Sequence, residues 1–220
     1  MTLYKKGDFH LHTTASDGRL SPEKLVEMAS QNSMDIIAIT DHDTVSGVNE
    51  ALDAGKKAKI KIIPGIELST LYQNKSVHVL GYFKSISDIS SEFKNFLKEM
   101  SIYREKRAKK IVDNLYKFFN IKLDYENILK NAHNIVTRPH IAQEIINAGY
   151  NYSFNYIFTN FIGDDCPAFV PNKKLTTEEG IKLLKSLNSL VVLAHPVLIK
   201  GVNMDDLLKL PFDGIEAIYS

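Results

Sequence analysis

A single cysteine, Cys166, is all the chain has, which excludes an intrachain disulfide and fits a reducing compartment. Nothing in the surrounding sequence activates that thiol, so it reads as a small apolar residue rather than a nucleophile. Charge of one sign is equally scarce in excess: 27 basic residues against 26 acidic leave a net +1. That balance excludes the global basic field of a nucleic-acid coat, so a polyanionic substrate has to be held locally, by metal and a few Arg or Lys. No apolar stretch approaches the roughly 20 residues needed to span a bilayer. The N-terminus runs into a histidine motif with no room for a signal peptide. These absences predict a soluble cytoplasmic protein with no membrane contact and no evident stable protein partner. Apolar residues are plentiful, 44% of 220, enough for one substantial core and an inserted subdomain.

Residues 1–86 alternate strand and helix signals. Ile36 to Ile39, Ile60 to Ile66 and Val77 to Phe83 are short β-branched runs, as buried strands are. Ser21-Pro22 reads as a helix N-cap, followed by Leu25, Met28 and Ala29 on the buried face. Short buried strands alternating with helices predict a parallel α/β sheet or barrel. Residues 87–175 change character: a helical period runs from Ile89 to Phe118, with Arg104, Lys106, Arg107, Lys109 and Lys110 as a solvated basic face. This is an all-helical insertion. Residues 176–220 return to α/β. Thr176 to Glu179 forms a capping box, Leu190 to Ala194 a strand, Asp205 to Leu210 a helix and Gly214 to Tyr219 a last strand.

Histidines and acids collect where those strands end. His10 and His12 alternate at the end of the first strand, His42 follows the second, Glu67 closes the third and His195 follows a later one. His78 sits near the start of its run and fits this arrangement less cleanly. The carboxyl ends of strands form the functional rim of parallel α/β folds, and imidazole plus carboxylate is a ligand set for Zn, Mn or Fe. Glu67 carries particular weight, because a carboxylate closing an apolar strand is costly to desolvate unless a cation meets it. Asp17 before Gly18 also suits a plain turn. Asp41 and Asp43 either cap the next helix or support the ligands from behind. His133, in the Asn131 to Asn134 loop, reads as an ordinary surface residue. Thr137-Arg138-Pro139-His140 opens a helix whose free N–H groups, with the Arg138 fork, suit a phosphate.

Taken together, these segments resemble the PHP (polymerase and histidinol phosphatase) family. The resemblance rests on Asp8-Phe9-His10-Leu11-His12 with Ser16-Asp17-Gly18, Ile39-Thr40-Asp41-His42-Asp43, Pro64-Gly65-Ile66-Glu67, His78-Val79-Leu80-Gly81-Tyr82, Arg138-Pro139-His140 and Ala194-His195-Pro196. They cover nearly the whole chain in family order. Within the family the chain is similar to the stand-alone, tryptophan-operon-linked branch acting on nucleoside 3′,5′-bisphosphates and, as a 5′-to-3′ exoribonuclease, on RNA. The resemblance implies a distorted (β/α)7 barrel with a helical insertion, binding up to three divalent ions, manganese foremost, with iron or zinc as alternatives. It implies that His10, His12 and Glu67 hold one ion, Glu67 bridges to a second held by His78 and His195, and Asp17 and His42 hold the third. Arg138 and His140 contact substrate phosphate. The family's final Asp-x-His motif has no counterpart before Ser220. A truncated chain, lacking the C-terminal strand or strands of the barrel, or a natural variant with weakened outer sites is therefore expected.

The expected chemistry is phosphoester hydrolysis through a metal-bridging hydroxide, with Arg138 stabilising phosphoryl charge. His140 either protonates the leaving oxygen or binds phosphate. The expected substrate is a phosphorylated small molecule or short oligonucleotide. The alternatives are a histidinol-phosphate-type phosphomonoesterase and a catalytically impaired metal- or nucleotide-binding module, the latter because of the missing motif. An amidohydrolase is opposed by the phosphate clamp.

Overall fold

A computed structural model describes residues 4–132, 136–171 and 175–218. The chain divides into two compact units, Met1–Leu97 with Leu175–Ser220, and Lys98–Lys174. The first unit runs on to Leu97 because Ile89, Phe93 and Leu97 are buried in one cluster with sheet residues Ile66, Leu68 and Val79.

The first unit carries a curled six-stranded sheet in the order β1 (Gly7–Leu11), β2 (Ile36–Ile39), β3 (Lys61–Tyr72), β4 (Lys75–Tyr82), β5 (Leu190–Leu193), β6 (Gly214–Ile215). Helices α1 (Pro22–Gln31) and α2 (Val48–Ala58) connect the first three strands. Ser21 caps α1 by accepting from the Lys24 amide, with Pro22 at the first turn, as the sequence predicts. Leu25, Val26 and Ala29 form its buried face, whereas Met28 is exposed.

The sheet is mixed, not parallel throughout. β1–β2–β3 are parallel, but β4 is antiparallel to both β3 and β5. The cause is a two-residue hairpin at Gln73 and Asn74, both with positive φ (49° and 64°), the backbone pattern that matches strand twist in tight hairpins. β3 is also longer than the apolar run suggests. Its first half pairs with β2 up to Pro64 and its second half pairs with β4 from Gly65 onward. The change of partner requires glycine, since a Cβ at Gly65 would lie 2.8 Å from Thr40 Cγ2 and 3.0 Å from Ile39 O. The last strand is short: β6 ends at Ile215, not Tyr219, which lies outside the described residues.

The second unit is helical: the remainder of α3 (Ser91–Phe119), then α4 (Tyr125–Asn131), α5 (Arg138–Asn147), α6 (Phe154–Ile157) and a π-helical turn (Phe158–Ile162). Its core gathers Ile111, Leu115, Ile128, Ile141, Ile145 and Phe161. The basic face of α3 is only partly solvated. Lys106, Lys109 and Lys110 are exposed, but Arg104 is buried and Arg107 Nε donates to Val170 O at 2.5 Å. Phe118, placed on the apolar period, is half exposed. His133 lies outside the described residues. After α7 (Thr177–Ser186), which opens on the predicted Thr176–Glu179 capping box, the chain re-enters the sheet. The helix expected from Asp205 to Leu210 is α8 (Met204–Leu207).

Candidate metal centre

Five histidines form a closed circuit. Ring centroids are separated by 5.1 Å (His10–His12), 4.7 Å (His12–His42), 4.9 Å (His42–His78), 5.2 Å (His78–His195) and 5.7 Å (His195–His10). Glu67 lies at the centre of this circuit, 1% exposed. Its Oε2 is 3.1 Å from His10 Nε2, 3.1 Å from His12 Nε2 and 3.2 Å from His42 Nδ1. Its Oε1 is 2.9 Å from His78 Nδ1 and 2.8 Å from His195 Nε2. Asp17 stands at one side, 3.3 Å from His12 Nδ1 and 3.6 Å from His42 Nε2.

The fold explains each position. Glu67 is within β3, not at its end. Its backbone bridges to the loop after β2, donating to Asp41 O and accepting from the Asp43 amide, so His42 and Glu67 are registered against each other. The reversed direction of β4 resolves the awkward placing of His78. Early β4 lies beside late β3, with His78 opposite Ser69 and Val79 opposite Leu68, which returns His78 to the same rim as Glu67. His195 follows β5 with φ +26°, a strained backbone for a residue bearing a Cβ.

The turn carrying His12 and Asp17 is braced from below. Buried Asp41 accepts from the Thr13 amide (2.7 Å), Thr13 Oγ1 (2.8 Å) and Ser16 Oγ (2.6 Å), so it supports the ligand loop and does not cap a helix. Asp43 Oδ1 accepts from the Ser69 amide at 2.7 Å. Gly18 closes the turn by donating to Thr13 O, and a Cβ there would lie 2.2 Å from His12 O.

This donor set fits divalent cations. A carboxylate oxygen offers about two lone pairs, yet Oε2 of Glu67 meets three imidazole nitrogens. Ligand atoms sharing one cation at about 2.1 Å necessarily lie roughly 3 Å apart, as these do. Among the described residues, three sets bring one ligand atom from each member within 4.8 Å of the others: His10, His12 and Glu67; His12, Asp17 and His42; and His42, Glu67 and His78.

The charges around Glu67 set the acid–base behaviour of the metal-free protein. Burial opposes a charged His10, but hydrogen bonds and charge from Glu67 and Glu216 outweigh it and raise the ring to about 8. Burial likewise opposes a charged Glu67, but His42, His78, His10 and His12 hold it well below the usual carboxylate range. A raised histidine contributes stability that is complete below its unfolded value and lost as pH rises through the folded one. Glu67 has the opposite sign, and its contribution is lost only in strong acid. With chelator present, stability to urea is expected to fall by on the order of 2 kcal/mol between about pH 6 and about pH 9. A rise across that window would contradict the arrangement.

Arg138 and His140 belong to the other unit, on the first turn of α5. Arg138 Nη1 donates to Asp164 (2.6 Å) and to Ile162 O (3.3 Å), while its guanidinium lies 5.6 Å from the Phe169 centroid. No partner is recorded for its Nε or Nη2 edge among the described residues. The Thr137 amide donates to His140 Nδ1 at 3.2 Å. Arg107 lies against the same Phe169 ring (5.7 Å). Burial, then the neighbouring Arg138 and Arg104, push Arg107 down to about 9. It stays charged at neutral pH in a locally positive field. One residue of the first unit went unread in the sequence: Glu216, whose carboxylate accepts from His10 Nδ1 at 2.9 Å and from the His195 amide at 2.7 Å.

Comparison with known proteins agrees with this geometry. The chain is 32% identical over 195 residues to a 5′-3′ exoribonuclease of Haemophilus influenzae, covering 89% of this chain and 70% of that one. It is 24% identical over 191 residues to a 3′,5′-nucleoside bisphosphate phosphatase of Chromobacterium violaceum, covering 86% and 66%. Across these exoribonuclease and phosphatase relatives the chain spans 64% to 70% of their length. A solved structure from Bifidobacterium adolescentis, assigned as a metal-dependent phosphoesterase, superposes with a TM-score of 0.82 at 26% identity, over 96% of this chain and 77% of that one. No helix among the described residues is long and apolar enough to cross a membrane. With residues 8–158 matching the PHP domain model, the chain belongs to the PHP domain family.

Proposed function

We propose that this chain is the catalytic portion of a metal-dependent phosphoesterase that removes phosphate from nucleotides, with nucleoside 3′,5′-bisphosphates and short 5′-phosphorylated RNA as substrates. The observation that carries the reading is the circuit of five imidazoles around one buried carboxylate. In this reading His10, His12 and Glu67 hold one ion, Glu67 with His78 and His195 a second, and Asp17 with His42 a third. Manganese suits the mixed imidazole and carboxylate set, and iron or zinc is the alternative. When bound, divalent cations neutralise charge on phosphoryl oxygens and make hydroxide accessible near neutral pH.

The chain's own residues bind and orient. Arg138 is anchored through Nη1 to Asp164 and Ile162 O, and its Nε–Nη2 edge is the fork that grips two phosphate oxygens. His140 accepts at Nδ1 from the Thr137 amide, so its neutral ring carries the proton on Nε2 and donates it to a phosphate oxygen. In this reading the unit Met1–Leu97 with Leu175–Ser220 carries the metal centre, and Lys98–Lys174 carries Arg138 and His140. The activities of the exoribonuclease and bisphosphate phosphatase relatives support the choice of nucleotide substrates.

The test is phosphate release by the full-length protein with Mn2+ on three substrates: a nucleoside 3′,5′-bisphosphate, a short 5′-phosphorylated RNA and histidinol phosphate. Faster turnover of the first two is expected. Preference for histidinol phosphate would move the assignment to that class, and bound metal and nucleotide without turnover would make the protein a binding module.

A further inference from the structure

Glu216 follows β6 directly, and its position is fixed by the backbone. Its amide donates to Leu193 O at 2.9 Å, which sets it beside the end of β5. From there its side chain, 12% exposed, reaches two different ligand positions. Its carboxylate lies 2.9 and 3.1 Å from His10 Nδ1 on β1, and its Oε2 accepts from the His195 amide at 2.7 Å. β1 and β6 are the terminal strands in the sheet order, so one side chain ties the two ends of the sheet together at the rim.

An ionised carboxylate only accepts. His10 Nδ1 therefore donates to Glu216, and Nε2, 3.1 Å from Glu67 Oε2, is the nitrogen left to give its lone pair to a cation shared with Glu67. The second bond acts on backbone. His195 holds φ +26°, a conformation that persists only when its surroundings over-determine it, and its amide is tied to the Glu216 carboxylate.

We propose that Glu216 is a positioning residue of the metal centre: it selects the His10 tautomer that offers Nε2 as a ligand, and it clamps the strained His195 turn. This rests on the metal-centre reading above, and it adds a single carboxylate that orders ligands of two separate ion positions. Residues hydrogen-bonded behind metal ligands typically contribute 10- to 100-fold to metal affinity.

The test compares the full-length parent with Glu216→Gln and Glu216→Ala by two readouts that need no turnover. The first is the His10 tautomer, from ring nitrogen chemical shifts of the protein loaded with diamagnetic Zn2+. The second is Mn2+ affinity by chelator competition. The parent is expected to show His10 protonated on Nδ1. Glu216→Ala is expected to lose that preference and to bind Mn2+ about 10- to 100-fold more weakly. Glu216→Gln keeps the fold and the tautomer, but its one amide oxygen cannot accept as a carboxylate does from both N–H groups, so affinity falls by less than about 10-fold. A parent His10 protonated on Nε2, or unchanged affinity in Glu216→Gln, overturns the proposal, including where the alanine variant fails to fold. A protein that binds Mn2+ and shows both Glu216 effects, yet releases no phosphate, sinks the phosphoesterase reading and leaves the Glu216 assignment standing.

Discussion

Glu67→Gln is expected to empty the protein of tightly held divalent metal and to lower phosphate release by more than about 100-fold, beyond the usual effect of a residue that merely supports a ligand. Glu67 belongs to two of the three ligand sets, and all five ring histidines approach its two oxygens within 2.8–3.2 Å. An amide presents one acceptor in place of two and turns an N–H2 toward imidazoles arranged for a carboxylate. The change also removes the carboxylate at the centre of the five imidazoles, so the variant retains clustered rings with only Asp17 and Glu216 beside them among the described residues. Elemental analysis after gel filtration, beside a phosphate-release assay, reads both effects. A glutamine variant that kept the parent's metal content would show that the circuit is satisfied by ordinary packing.

Arg138→Ala is expected to raise KM for nucleoside bisphosphates about 10- to 100-fold with a smaller change in kcat, the signature of lost substrate binding. Loss of a bidentate charge-assisted contact accounts for that size. Arg138→Lys should rescue little, because an ammonium has no planar fork. The substitution also removes the Arg138 contact of Asp164. That pair is partly exposed, at 19% and 26%, so the cost to stability is about 1 kcal/mol or less and a thermal melt separates it from binding. KM for a simple aryl phosphate, which lacks the second phosphate, should barely move. Equal KM increases on both substrates would place Arg138 on the phosphate that is released, and no increase on either would remove it from the phosphate clamp.

Much of the site was legible because its chemistry lies at strand ends. His42 and His195 each follow an apolar run and His10 and His12 alternate at the end of the first strand, and a reader who knows that rims collect function can gather them. His78 resists that logic because short buried runs alternating with helices predict a parallel sheet, whereas β4 is antiparallel to β3. The Gln73-Asn74 pair, which permits a tight reversal, carries the missing information, and once it is read as a hairpin His78 falls into place. Glu67 stands out in the sequence as an acid closing an apolar run, yet it lies within β3 (Lys61–Tyr72). The chain past it, Leu68 to Tyr72, pairs with β4, and that partner exists only in three dimensions. Glu216 had no signal. A lone glutamate near a two-residue strand looks like surface until His10, more than two hundred residues away, is brought against it. Arg104 and Arg107 mislead for the related reason that charge on a helix usually means water, whereas here Arg104 is buried and Arg107 lies against Phe169 and Val170.

The β3–β4 hairpin also carries a kinetic consequence. Glu67 and His78 occupy one local element that closes through a two-residue turn, whereas His10 and His195 join them only after long loops are closed. Hairpins form in roughly microseconds, and long-range pairing waits on loop-closure entropy. Newly made chain therefore holds a two-ligand fragment before it holds a site, and high-affinity capture is deferred until the remote strands dock. Saturating cation, by binding the native form alone, would then slow unfolding far more than it speeds folding.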